Sequence, residues 1–140
     1  MRYVERALVF GAIIFNMKNV VLCGSMKVKS QILDVSQRLK ELGYNPLLPV
    51  ECMNNEPKIT ASRAHLDRII DKNNQLILVV NTKKGDIDNY IGPNCFAEIA
   101  FGFYYKKKVF VLNDIYEPYR DELDGWGVIA LHGDLEKIGH

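Results

Sequence analysis

Short apolar runs alternate along the chain with longer stretches in which apolar and polar residues are mixed. Four runs, at residues 20–23, 76–80, 109–112 and 128–131, have the length and composition of strands that are buried on both faces. Residues 45–49 predict a further short strand, which Pro49 ends. The pattern therefore predicts five strands.

Between these runs, apolar residues recur at spacings of three and four, which is the period of an amphipathic helix. They predict helices over residues 32–42, 61–72, 94–105 and 118–123, with Gly43 at the C-terminal cap of the first. Residues 51–60 and 81–93 are polar and carry Pro or Gly, so we expect loops there. In the second helix, the residues expected to face inward are Ala64, Leu66, Ile69 and Ile70.

Strands that are joined through helices run parallel, and right-handed crossovers place helices on both faces of their sheet. The order of elements thus predicts a single doubly wound α/β domain. Ligands of such sheets bind beyond the carboxyl ends of the strands, where the strand order switches. Residues 24–30, 81–98 and 113–119 occupy those positions.

Composition narrows the class of protein. A chain of 140 residues with 48% hydrophobic and 25% charged residues suits one globular domain. A formal net charge of +1 argues against a nucleic-acid polymer as partner. Three cysteines without CxxC spacing predict reduced, buried thiols in a cytoplasmic protein, with no metal site and no cofactor.

The N-terminal region carries a separate apolar run at residues 7–15. Its nine residues are fewer than half of the roughly 20 that a membrane-spanning helix needs, so no membrane partner is expected. Arg2 and Arg6 precede the run, but no small-x-small cleavage site of a signal peptide follows it. Met17 resembles a natural start, which predicts that residues 1–16 are an upstream extension and residues 17–140 the domain.

The residues after the first strand, Gly24-Ser25-Met26-Lys27, open a helix. A glycine allows a sharp turn, and free N–H groups at a helix start attract phosphate. Ser25 and Lys27 would add a hydroxyl and a cation. A plain glycine turn with Ser25 as the N-cap explains the same residues equally well.

Carboxylates supply the second kind of candidate. Glu98 lies one turn inside a helix whose start, Gly92-Pro93-Asn94, is typical of a helix N-terminus. Its apolar neighbours leave two interpretations, a surface carboxylate or one that is held at a site. Asp67 shares a helix face with Asp71, where solvated acids are the usual case. His65 has no metal-ligand spacing and receives no role.

Three segments are informative in combination. They read Leu-Cys-Gly-Ser-Met at residues 22–26, Leu-Asp-Arg-Ile-Ile at 66–70 ahead of the strand at 76–80, and Tyr-Ile-Gly-Pro-Asn at 90–94 followed by Glu98-Ile99. Their order and spacing, over roughly residues 18–113, resemble the nucleoside 2-deoxyribosyltransferase family and its relative, the 2′-deoxynucleoside 5′-phosphate N-hydrolase.

This resemblance implies a flavodoxin-like sheet and cleavage of a glycosidic bond between a base and deoxyribose. It places the family's nucleophile at Glu98 and its sugar- or phosphate-binding turn at Gly24 and Ser25. The family's conserved aspartate falls on Asp67, which, or another nearby group, would help to protonate or orient the base. The chain departs from the family in two ways. An aromatic residue near the sugar is missing from the first strand, for which Tyr90 is a candidate substitute, and the loop at 81–93 is longer, with Lys83, Lys84, Asp86 and Asp88.

The expected function is therefore N-glycosidic cleavage or deoxyribosyl transfer on a nucleoside or nucleoside monophosphate, with Lys27, Tyr90, Gly92 and Asn94 as further binding residues. A non-catalytic nucleotide-binding or TIR-like signalling module, and a glycohydrolase of nicotinamide dinucleotide, are the alternatives. We also expect a homo-oligomer, because the aromatic residues of one helix exceed what its own core needs, although they could equally pack under the sheet. Those residues are Phe101, Phe103, Tyr104 and Tyr105.

Overall fold

Five parallel strands form one sheet in the computed structural model, which describes residues 17–49 and 57–139. The spatial order is β2-β1-β3-β4-β5, so the first strand lies inside the sheet and the order reverses between β1 and β3. The strands are β1 (Asn19–Cys23), β2 (Asn45–Leu47), β3 (Leu76–Val79), β4 (Lys108–Val111) and β5 (Ile129–Ala130).

Within these described residues, four α-helices connect and cover the strands. They are α1 (Lys29–Glu41), α2 (Lys58–Ile70), α3 (Pro93–Tyr104) and α4 (Arg120–Gly125). Short 3₁₀ turns at Met26–Val28, Glu117–Tyr119 and Leu135–Lys137 complete the described part of the chain. The predicted α/β domain is confirmed, and the arrangement is flavodoxin-like.

Successive side chains along each strand point to opposite faces of the sheet, so the apolar residues form two layers, one on each face. Val20 and Leu22 of β1 pack with α1 and the C-terminal turn, whereas Val21 and Cys23 pack with α2, α3 and α4. The sheet is thus doubly wound, as the sequence predicts. It follows that the last residue of β1, Cys23, points into the layer that contains α2 and α3.

The sequence prediction was wrong about the start of α2. Residues 58–60 were expected to form a loop, yet the helix begins at Lys58, directly after Pro57. The fixed φ of proline suits the entry to a helix, which explains why Pro57 precedes the first turn instead of excluding it. The remainder of that predicted loop, residues 51–56, lies outside the described residues, as does the predicted extension at residues 1–16.

The predicted C-terminal cap of α1 is present. Gly43 has a φ of 92°, a left-handed conformation that favours glycine. Its N–H donates to the carbonyl of Lys40, and the N–H of Tyr44 donates to the carbonyl of Leu39, at 3.0 Å each. This pair of bonds is a Schellman motif, which ends the helix and turns the chain into β2.

Helix α3 lies close to the sheet because Gly102 has no side chain. A Cβ atom at this position would be 2.7 Å from Cδ1 of Ile77 and 2.9 Å from Cγ2 of Val109. Both distances are well inside van der Waals contact, so a side chain there would require Ile77 and Val109 to shift or α3 to move outward. The glycine therefore fixes how far the residues of α3 stand from the strands.

A buried side-chain network ties the carboxyl ends of β3 and β4 together. Asn81 is fully buried, and its amide nitrogen donates to the carbonyls of Asp114 at 2.8 Å and Asn89 at 3.4 Å. Its amide oxygen accepts from the backbone N–H of Asn113 at 2.9 Å. Because these bonds join the start of the segment after β3 to Asn89 within it and to the loop after β4, they hold residues 82–88 at the carboxyl ends of both strands. Within the described ranges, no helix has the length and apolarity required to cross a bilayer.

Candidate active site

A cavity of about 370 Å³ opens beside the carboxyl end of β1, where the turn after this strand meets α2 and α3. The strand order reverses between β1 and β3, and the cavity lies at this switch point. Doubly wound folds bind their ligands at this position. Polar groups reach the cavity from all three elements. They are Ser25, Lys27, Lys58, Ser62, His65, Asn94 and Glu98.

Glu98 is the only carboxylate among the described residues that line this cavity. It follows Cys95 by one turn on α3 and precedes Gly102 by another, so it lies beside the face that packs on the sheet. Its side chain is 18% exposed, which leaves the carboxylate largely enclosed yet within reach of a ligand. Gly24 and Ser25 line the same cavity, so the predicted juxtaposition of acid and turn is present.

His65 faces Glu98 from the neighbouring helix. Its Nε2 atom lies 3.6 Å from Oε1 of Glu98 and 3.4 Å from Sγ of Cys23. A proton on Nε2 would serve either neighbour, since a carboxylate and a thiol sulfur both accept. The other ring nitrogen, Nδ1, is buried and has no hydrogen-bond partner within residues 17–49 and 57–139.

Cys23 completes this group of three side chains. Full burial raises the pKa of its thiol well above the ordinary value, and the nearby Glu98 carboxylate raises the pKa further. The thiol therefore stays protonated and hydrogen-bonds to the Glu98 carboxylate. A protonated, buried thiol is a poor nucleophile, so Cys23 is a neutral partner of the carboxylate and not the reactive group.

The same three residues also have the donor types of a metal site. Sulfur of Cys23, nitrogen of His65 and oxygen of Glu98 all lie within 4.8 Å of one another. Zinc accepts such donors, usually three from the protein in a catalytic site. Binding would require loss of the Cys23 proton, which burial opposes. The prediction of no metal site stays a prediction, and this cluster is where it has to be tested.

For the turn after β1, the sequence left open a plain capped turn or a binding site, and the structure is consistent with both. Ser25 caps the 3₁₀ turn, because its hydroxyl accepts from the backbone N–H of Lys27 at 3.2 Å, and it also lines the cavity. Gly24 is needed for space rather than for an unusual backbone angle. A Cβ there would lie 2.9 Å from Cδ1 of Ile32.

Asp67 is placed differently from Glu98. It is exposed on α2 and does not belong to the walls of the cavity. The buried face of this helix carries Ala61, His65 and Ile69, at intervals of four residues. Residues two apart on a helix do not share a face, so His65 and not Asp67 meets Glu98. A catalytic role for Asp67 remains a prediction.

Sequence reasoning missed His65 and the contact of Cys23 with the site. The available signals were weak. His65 shares a four-residue period with two apolar residues, which is also the pattern of an ordinary core histidine. Cys23 was expected to be reduced and buried, and both it and Cys95 are buried thiols outside any disulfide. Only the fold shows that its side chain points toward α2 and α3.

The remaining predicted binding residues are divided between two cavities. Gly24 and Asn94 line the first, whereas Tyr90 and Gly92 line a second one of about 240 Å³. Ser25 and Lys27 line both, so the two cavities adjoin at the turn after β1.

Neither a protein-family model, nor a curated protein, nor a solved structure matches the chain. The class defined by fold and site is a flavodoxin-like α/β domain with an enclosed carboxylate at the switch point of its sheet.

Proposed function

We propose that this protein cleaves the N-glycosidic bond of a nucleoside or nucleoside monophosphate, with the carboxylate of Glu98 as the nucleophile. One observation carries the proposal. Glu98 is the enclosed carboxylate of a cavity that also contains hydroxyl, amide and ammonium groups suited to a sugar and its phosphate. The volume of about 370 Å³ lies at the lower end of the range for small-molecule sites, which suits a mononucleotide.

In the first step, an oxygen of Glu98 bonds to C1′ of the sugar while the bond from C1′ to the base nitrogen breaks. The electron pair leaves with the base, which takes a proton from water that enters the cavity. The positive charge that develops on the sugar ring is stabilised by the carboxylate, as in retaining glycosidases. In the second step, water or the nitrogen of another base attacks C1′ and releases Glu98.

His65 and Cys23 position the nucleophile in this mechanism. The Nε2–H of His65 and the thiol of Cys23 approach the carboxylate from the protein side. These two contacts restrict the orientation of Glu98, which leaves the remaining lone pairs of its carboxylate for the sugar. Pre-oriented groups contribute to the rate because they need no rearrangement when the substrate arrives.

The cavity also contains groups for the 5′-substituent of the sugar. Lys27 and Lys58 contribute positive charge, and Ser25 and Ser62 contribute hydroxyl groups. Ammonium and hydroxyl donors are the usual partners of phosphate oxygens. This arrangement favours a nucleoside monophosphate over an uncharged nucleoside.

The test is base release, followed by chromatography, from deoxynucleosides and their 5′-monophosphates. Glu98→Gln keeps the shape of the side chain and removes the nucleophile, so the rate should fall about a thousandfold or more. Quenched wild-type reactions should also contain protein that is heavier by one deoxyribosyl group, and digestion should locate this group on Glu98.

Glu136→Gln is the matched control, because Glu136 is exposed in the C-terminal turn and lies outside the cavity. Its rate should equal that of the wild type. Full activity in Glu98→Gln would remove Glu98 from the nucleophile role. Thermal stabilisation by nucleotides without turnover would instead favour a non-catalytic binding module.

We further propose a cytoplasmic homo-oligomer. The residues Phe101, Phe103, Tyr104 and Tyr105 are between 39% and 75% exposed, so the alternative that they pack under the sheet is wrong. They lie on α3, the helix that carries Glu98, and at its C-cap, Tyr105, and a second copy would cover them. Light scattering should give a mass above that of one chain, and Tyr104→Lys should lower it. A monomeric wild type would contradict this part of the proposal.

A further inference from the structure

The second cavity contains groups that the proposed reaction does not use. It lies beside the carboxyl end of β3 and shares Ser25, Lys27 and Cys95 with the first cavity. A ligand bound next to Glu98 can therefore continue across the turn after β1. The residues that line the second cavity determine which ligands it would bind.

Three lysines give this cavity a cationic wall: Lys27, Lys83 and Lys84. Lys83 lies 3.7 Å from the carboxylate of Asp88, but both side chains are more than half exposed. Exposed ion pairs of this kind contribute little, so an entering anion can take the place of Asp88 at low cost. The wall thus favours a negatively charged ligand.

Thr82 supplies a hydrogen bond donor at the same place. Its hydroxyl oxygen is buried and has no hydrogen-bond partner within the described residues, although its side chain lines the cavity. An unpaired buried hydroxyl is unfavourable unless a ligand satisfies it. A phosphate oxygen would accept from this hydroxyl and pair with the lysines.

Apolar surface completes the second cavity. The half-buried ring of Tyr90 is held by an edge-to-face contact with Tyr116, at 5.5 Å between centroids, and Nζ of Lys84 lies 4.6 Å from its centroid. Val28 and Val79 line the cavity with Tyr90. Aromatic rings next to cations are the usual platform for a nucleobase beside its phosphate.

We propose that the substrate is of the dinucleotide class, with a pyrophosphate that crosses the turn at Ser25 and Lys27 and a second nucleoside in the cavity of Tyr90, Lys83 and Lys84. The placement of the first nucleoside beside Glu98 rests on the proposed function. The second cavity then selects ligands that extend beyond the 5′-phosphate.

Calorimetric binding to the Glu98→Gln variant tests this, because the ligands remain intact. Two matched pairs serve as probes: nicotinamide mononucleotide with nicotinamide adenine dinucleotide, and adenosine monophosphate with diadenosine diphosphate. In at least one pair the dinucleotide should bind about tenfold or more tightly than its monophosphate. Adding Lys83→Gln and Lys84→Gln should remove this gain and change monophosphate affinity less than about twofold.

Lys40→Gln with Lys72→Gln is the control for the change in charge. Both lysines are exposed and lie near the carboxyl ends of α1 and α2. These helix ends lead into the amino ends of the strands, away from the two cavities at the carboxyl ends. This pair should keep the dinucleotide gain. Equal binding within both probe pairs, absence of binding, or equal loss in the control would overturn the proposal. Lysine-dependent dinucleotide binding without base release by the wild type would support the second cavity and reject the proposed reaction.

Discussion

The Nε2 atom of His65 lies 3.6 Å from the Oε1 atom of Glu98, and this contact joins α2 to α3 at the wall of the cavity. Both side chains are mostly buried, with 7% and 18% of their surface exposed. An enclosed contact is little screened by solvent, so it restricts the carboxylate more than a surface pair would.

A first prediction concerns how His65 acts. His65→Leu should lower kcat about 10- to 100-fold with little change in KM, because the enclosed Glu98 carboxylate loses a polar partner. Glutamine can place an amide nitrogen near the position of Nε2, so His65→Gln should recover most of the rate. His65→Asn, which mimics Nδ1, should not. Steady-state kinetics measure all three.

Comparing the rates of these variants with their denaturant midpoints separates a positioning role of His65 from a contribution to stability. Leucine fills the space of the imidazole without a polar atom, so His65→Leu should unfold at or above the wild-type denaturant midpoint. Equal rates for the leucine and glutamine variants would contradict a positioning role for the Nε2 proton.

The Cys23 thiol predicts a dependence of stability on pH. Because burial holds its folded-state pKa well above the ordinary value, the unfolded chain loses this proton first as pH rises. Below about pH 8, near the ordinary thiol pKa, both states hold the proton and Cys23 contributes no slope. Above it, the free energy of unfolding should fall by up to about 1.4 kcal/mol per pH unit until the folded-state pKa is reached.

Denaturant titrations between pH 7 and 10 measure this slope. Cys23→Ala should be less stable at pH 7 but should show a shallower decline, because the titrating group is absent. Cys95→Ala shows how much of the decline comes from a second buried thiol, which also raises the pKa of Cys23. Parallel declines in Cys23→Ala and in the wild type would show that other groups cause the effect.

Much of the fold and part of the site were predictable from the sequence, for identifiable reasons. The strands β1, β3 and β4 are buried on both faces, so their apolar runs are continuous and matched the structure to within one residue. Because the strands are parallel, the carboxyl end of β1 lies at the same end of the sheet as the segment that leads from β3 into α3. That is why Glu98 and Ser25 were expected together.

The rest depends on contacts between segments that are distant in sequence. The pairing of Cys23 with His65 spans 42 residues, and the bonds of Asn81 that hold the wall of the second cavity span up to 33. A single histidine on an apolar helix face has no spacing that distinguishes a site from a core. The first turn of α2 was predicted to be a loop because residues 51–60 are mostly polar and include Pro57.

Gly102 provides a prediction about the position of α3. Gly102→Ala should destabilise the protein by about 1–3 kcal/mol, because the new methyl group overlaps Ile77 and Val109. It should also lower kcat, since an outward shift of α3 moves Glu98. Gly125→Ala is the control: it is helical, and a Cβ there meets nothing within 4 Å. That variant should be neutral or more stable by up to about 1 kcal/mol. Denaturant midpoints that do not differ between the two variants would contradict close packing of α3 on the sheet.

Zinc provides the last prediction, because the metal and the substrate would compete for the same carboxylate. If Glu98 attacks the sugar as a free carboxylate, base release should persist after chelation, and added Zn²⁺ should inhibit by engaging Cys23, His65 and Glu98 together. Cys23→Ala removes the thiolate donor, so it should raise the inhibitory zinc concentration about tenfold or more. Mg²⁺ prefers oxygen donors and should not inhibit at the same concentration. Initial rates against metal concentration distinguish the two roles of the cluster. Loss of activity on chelation with recovery in zinc would mean that Glu98 is a metal ligand, and the nucleophile would then have to be a metal-bound water rather than the carboxylate.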